Sequence, residues 1–184
     1  MARGADRGAG TWFGIREPAV AATDALVALE SAWFALRLAR NRLARGRLRT
    51  PFLVFFAATA VASATGALLH GLTDDSSDPR RRALWRTSLA SIGVAAVSSW
   101  TVAARLARPE GHAVPERLAL LANAPYFVLV ATGDRPFTLA IACYVPAAVG
   151  LGVAFGSRLD ESDDRLAAAL GLAGLAVTFG AAAV

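Results

Sequence analysis

Lysine is absent from this sequence of 184 residues, cysteine occurs once, and charged residues make up only 18%. Each scarcity removes a class of protein. With Cys143 alone, neither an intrachain disulfide framework nor a cysteine metal knuckle can form. A charged fraction below the roughly 25% of soluble domains argues against a surface that faces water throughout. The missing lysine makes all 19 basic residues arginine. Beside the many alanines, that points to the codons of a GC-rich bacterial genome more than to binding chemistry. Also missing are a phosphate loop, a dinucleotide fingerprint, a nucleophile elbow and a detectable repeat between the two halves. The first 18 residues hold Arg3, Arg7 and Arg16 but no apolar core, so they read as a polar N-terminal segment and not as a cleavable signal peptide.

What the chain has instead is apolar residues, 55% of the total, gathered in blocks of about 20 with the charges between them. A soluble core spreads charges through every amphipathic helix, whereas such blocks mean membrane spans. The expected fold is all-α, a polytopic transmembrane helical bundle of about six spans in a single domain over 1–184. The spans are expected near Ala19–Leu38, Pro51–Leu72, Leu84–Leu106, Arg117–Thr132, Pro136–Phe155 and Leu166–Val184. The fourth is short and interrupted by Asn123, Pro125 and Tyr126, which predicts a kinked or partly re-entrant segment. Gly133, Asp134, Arg135 and Pro136 make a tight turn into the fifth. Gly152 with Gly156, and Ala176 with Gly180, have the small-xxx-small spacing of helix packing faces. The last span ends in Gly180 and three alanines with no polar flank, which leaves either a bare final helix or a seven-helix fold that continues beyond Val184.

Orientation follows from the arginines. Arg37, Arg40, Arg42, Arg45, Arg47 and Arg49 follow the first span with no acid among them, which predicts a cytoplasmic loop. Arg105, Arg108, Arg158 and Arg165 then also fall inside, and Arg80, Arg81 and Arg82 outside, beside Asp74, Asp75 and Asp78. The expected location is the bacterial inner membrane, multi-pass, with membrane lipids as the partners. The net charge of +5 belongs to these loops, and no nucleic-acid-binding motif accompanies it, so no nucleic acid is expected. No cofactor is expected either.

Ionisable groups inside spans cost several kcal/mol unless paired, so each is a candidate functional residue. Asp24, Glu30 and His70 are the three that matter. Asp24 lies about 7 Å into the first span at 1.5 Å per residue, and His70 returns to that level at the end of the second. Together with Ser88 and Ser91 at the start of the third span, they form the candidate intramembrane polar cluster. Thr59, Ser63, Gly66 and His70 share one helical face. Glu30 falls mid-span, level with Thr59 and Ser63, where a carboxyl is expected to hold a proton or a hydroxyl partner. Each has a plainer role available: Asp24 as a dipole-complementing acid, His70 as an interfacial histidine, Glu30 as a helix-to-helix hydrogen bond. Tyr126, Tyr144, Trp33, Trp85 and Trp100 read as interface anchors or packing, and His112 as a solvated loop residue.

Glu17-Pro18 and Thr23-Asp24 opening the first span, Phe55-Phe56 and His70-Gly71 in the second, and Leu84-Trp85-Arg86-Thr87 opening the third resemble an uncharacterised family of bacterial multi-pass membrane proteins over residues 17 to 156. The chain is also distantly similar to the alkaline ceramidase and adiponectin-receptor superfamily, seven-helix hydrolases that bind zinc through a histidine in helix two and a histidine pair in helix seven. His70 matches the helix-two position in kind. The serine expected four residues earlier is Gly66, the third span has no aspartate, and no histidine pair follows. Three functional readings stand side by side. The first is an integral membrane bundle of unknown activity with a polar pocket near the outer ends of spans one to three. The others are a metal-dependent lipid amide hydrolase using His70 and a proton-coupled small-solute transporter using Glu30.

Overall fold

The computed structural model describes residues 17–41, 46–72, 79–107, 111, 113–161 and 165–182, with side chains as far as Ala176. These residues form six helices and, among the described residues, no strand: α1 (Pro18–Arg40), α2 (Arg49–Leu72), α3 (Pro79–Ala107), α4 (Ala113–Thr132), α5 (Phe137–Gly156) and α6 (Arg165–Ala182). Local chemistry sets several ends. Pro18 opens α1, where its missing N–H costs nothing, and Asn41 closes it by turning to extended backbone with its N–H on the Arg37 carbonyl at 3.0 Å. Pro136, in extended backbone, precedes the first turn of α5. Five helices are long and apolar enough to cross a membrane, and the described apolar stretch of α6 is shorter, Arg165–Ala176.

The fourth segment departs from expectation. α4 begins at Ala113, earlier than the sequence pattern indicates, and runs unbroken to Thr132 with Pro125 inside it, so it does not turn back. Proline removes the donor to the carbonyl four residues earlier. That carbonyl belongs to Leu121, which faces outward, and the Asn123 amide bonds Ala119 O at 2.7 Å within the same stretch.

Consecutive helices α1 to α4 pack as antiparallel neighbours, as do α5 and α6, while α3 and α5 lie side by side and parallel. Trp85 meets Phe137 at one end of that parallel pair, and Arg158 reaches the Leu106 carbonyl at the other. α3 is the hub. Half of its most apolar stretch is buried, against 11% for α1, because α2, α4 and α5 all pack on it. Two buried clusters follow its length: Leu89, Tyr126, Val130 and Ala140 at one end, and Val102, Ala103, Leu106, Leu151 and Ala154 at the other. Among the described residues α1 packs on α2 alone, and α6 on α5 alone.

Three helix joints use one device, an aromatic ring laid on a glycine. A Cβ placed on Gly93 would lie 2.5 Å from the Tyr126 ring, one on Gly150 2.5 Å from the Trp100 ring, and one on Gly171 2.7 Å from the Phe155 ring. These glycines join α3 to α4, α3 to α5 and α5 to α6 by letting a ring approach the backbone. Of the glycines expected to do this, Gly152 makes ordinary contact with Leu175 at 3.6 Å and Gly156 faces open space. Ala176 is exposed, and the surroundings of Gly180 lie outside the described side chains.

Candidate functional site

The joint between α1 and α2 also has a glycine seat, but what sits on it is a carboxylate. A Cβ on Gly66 would be 2.6 Å from Asp24 Oδ2 and 3.3 Å from Asp24 Cγ. One turn further along α2 stands His70, within electrostatic reach of Asp24. Glu17, the residue before α1, is tied to His70 twice. Its Oε2 is 2.6 Å from His70 Nδ1, and its backbone N–H donates to the His70 carbonyl at 3.2 Å. The second bond satisfies a carbonyl in the last turn of α2, where helical donors run out. Side-chain exposures of 40% for His70 and 47% for Glu17 put this pair at the open end of the seam, with half-buried Asp24 beneath it. Below Asp24 the seam closes on Ser31, which is 6% exposed, and on Phe34 stacked against Phe56 with centroids 5.1 Å apart.

The other expected members lie elsewhere. Ser88 is buried and its hydroxyl donates to the Ala62 carbonyl at 3.3 Å, joining α3 to α2. Ser91 is half-buried on the same helix. Since α3 makes no contact with α1 among the described residues, the structure brings Asp24 and His70 together without these serines. Glu30 is exposed and shares an outward stripe of α1 with Leu26, Leu29, Trp33 and Leu36. His112, Asp74, Asp75, Asp78, Arg42, Arg45 and Arg108 lie outside the described residues.

The aromatic anchors divide by role. Tyr126 is buried, with its hydroxyl donating to Leu89 O at 2.6 Å, and Trp100 is a packing ring. Trp85 donates through Nε1 to Arg135 O at 2.8 Å. Trp33 stays exposed with the Arg37 guanidinium 5.3 Å from its ring centroid. Cys143 donates from its thiol to Asn123 Oδ1 at 3.0 Å, which joins α5 to α4.

At the opposite end from Glu17 and His70, arginines staple one helix to the next. Arg49 Nε and Nη2 donate to the carbonyls of Leu38 and Ala39 at 3.0 and 2.8 Å, capping the last turn of α1 from α2. Arg105 binds Glu116 Oε1 at 2.5 Å and the Arg47 carbonyl, linking α3 to α4 and to the start of α2. Arg158 reaches from the end of α5 to the Leu106 carbonyl of α3 and to Glu161 at 2.6 Å. Cations at helix C-termini complement both the orphan carbonyls and the dipole.

Glu17 and these staples are what a residue-by-residue reading misses. Glu17 lies outside the apolar block and looks like flank. Its signal is geometric: in an antiparallel hairpin that pairs Asp24 with Gly66, the residue before α1 must arrive at the last turn of α2.

No three His, Cys, Asp or Glu side chains converge as a metal-holding group among the described residues. Zinc catalysis needs about three protein ligands and an open position, and among the described residues His70 has Glu17 bonded to it and Asp24 nearby. The class defined by these observations is an all-helical protein built mainly of apolar helices of membrane-crossing length. The chain belongs to the family of unknown function DUF6962, whose model matches residues 19–184. No curated protein and no solved structure matches it. The family match provides no link to the alkaline ceramidase and adiponectin-receptor superfamily.

Proposed function

We propose that the chain is a multi-pass membrane protein whose α1–α2 seam binds and releases a proton, so that the charge on Asp24 governs how α1 sits on α2. The membrane-embedded reading is supported by large side chains that face outward along the helices: Leu29 at 69% exposure, Leu121 at 70%, Val153 at 70% and Leu166 at 73%. In water this much exposed apolar surface drives association, while in lipid it is the ordinary outer face. The arginine distribution supports residence in a bacterial inner membrane with the Arg37–Arg49 end inside.

The single observation that carries the proton reading is the Asp24 carboxyl seated on Gly66 under the Glu17–His70 pair. A charged carboxylate in an apolar seam is costly, and a proton removes that cost. Glu17 and His70 line the way from Asp24 to the open end of the seam and can both exchange protons. Among the described residues α1 packs on α2 alone, so a change at this joint bears directly on how α1 is held. This reading places proton exchange at Asp24, whereas Glu30 faces away from the seam.

A structural reading has its own support in the Glu17 N–H bonded to the His70 carbonyl, which makes the same residues a latch between helix ends. Distances between spin labels on α1 and α2, measured in lipid as the pH is raised from acid to alkaline, separate the two. The proton reading expects a pH-dependent distance in the wild type that is lost in Asp24→Asn. A distance that ignores pH, or a response that survives in Asp24→Asn, leaves only the latch.

A further inference from the structure

The last turns of α1 carry a groove of about 520 Å³ lined by Trp33, Phe34, Arg37, Leu38, Arg40 and Asn41. We infer that this groove binds one anionic glycerophospholipid, its phosphate on Arg37 and Arg40 and an acyl chain against Trp33 and Phe34. The inference rests on the membrane-embedded reading but not on the Asp24 seam, which lies at the other end of α1.

The groove combines two chemistries that one lipid satisfies together. Trp33, Phe34 and Leu38 supply apolar wall, and Arg37 and Arg40, one turn apart, supply positive charge with no acid among the lining residues. Arginines at a helix C-terminus ordinarily turn back onto its carbonyls. Here the carbonyls of Leu38 and Ala39 are already taken by Arg49 from α2, so two of the acceptors that Arg37 and Arg40 would otherwise seek are occupied. The Arg37 guanidinium instead lies over the Trp33 ring, which fixes the cation at the rim of the apolar wall. Away from the rim, Leu36 and Trp33 lead along the outward face of α1 to Leu29, beside the exposed Glu30, and offer a short track for a hydrocarbon chain. A zwitterionic choline headgroup would bring a second cation up to the arginines, so the charge pattern selects a headgroup with net negative charge.

The test uses the full chain purified in detergent, with phosphatidylglycerol and phosphatidylcholine competing for it and bound lipid read by native mass spectrometry. Phosphatidylglycerol is expected to win by about tenfold. That preference is expected to vanish in the double variant Arg37→Gln with Arg40→Gln and to persist in Arg86→Gln, whose charge lies at the other end of the molecule. Equal occupancy by the two lipids in the wild type overturns the inference, and that comparison needs no variant to fold. So does a preference that survives the double variant, or full displacement of phosphatidylglycerol by soluble glycerol phosphate at equal concentration, which would mark a site for free anions. A chain that stays soluble without detergent would refute the embedding itself, a result read independently of lipid choice.

Discussion

At Gly66 an added methyl would meet Asp24 Oδ2 at 2.6 Å, while at Gly71 it would only touch the Ala21 methyl at 3.7 Å. The two glycines sit a turn and a half apart on one helix and are expected to respond oppositely. Gly71→Ala gains up to about 1 kcal/mol of helix propensity without a clash. Gly66→Ala makes the same gain but must displace a carboxyl from its seat, an overpacking cost of about 1–3 kcal/mol. Thermal unfolding in detergent should therefore show Gly66→Ala less stable than Gly71→Ala, and pairing it with Asp24→Ala should restore the loss. No recovery in the double variant would mean that Asp24 is not what fills the space. Of the candidate residues, Asp24 and His70 were legible in the sequence because ionisable groups in apolar blocks stand out. Glu30 stood out equally, yet it is six residues from Asp24, about 240° around a helix at 3.6 residues per turn, so one face cannot hold both.

Between elements, the joints depend on which glycine receives a ring. Trp100 is rigid and already lies 2.5 Å from where a Gly150 Cβ would be, whereas Gly156 has nothing within 4 Å. Gly150→Ala should cost about 1–3 kcal/mol by forcing α5 away from α3, and Gly156→Ala should leave the melting temperature unchanged or slightly raised. Equal melting temperatures for the two variants would contradict the ring-on-glycine joint. The spacing of Gly152 and Gly156 pointed to the correct helix but not to the glycine that packs most closely. A small-residue spacing marks where a backbone can be approached. The ring that approaches comes from α3, about 50 residues earlier, and only the parallel pairing of α3 with α5 brings Trp100 to Gly150.

Over the whole molecule, contacts concentrate on α3 and thin out toward α1 and α6, each packed on a single neighbour among the described residues. Local opening follows the number of packed partners. Amide hydrogen exchange in detergent should therefore be slowest in α3 and faster in α1 and α6. Protection in α1 equal to that of α3 would show that another surface covers α1. This gradient is also what the proton reading needs, since a helix with one neighbour can move without disturbing the two α3 clusters.

The sequence by itself determined the helical class, the approximate course of six helices and the residues whose charge is costly in an apolar segment. These follow from composition and block length, which the chain carries locally. It also gathered the arginines from Arg37 to Arg49 at one junction, although Arg37 and Arg40 turn out to close α1 and Arg49 to open α2. Only the tertiary structure decided that α3 is the hub, that Ser88 joins α2 instead of Asp24, and that Glu17 completes the pair with His70. The same holds for Arg49, Arg105 and Arg158, which reach carbonyls at the end of α1, just before α2 and in α3. A carbonyl has no side-chain identity, so nothing in the sequence marks it as a partner until helix packing brings the two groups within reach.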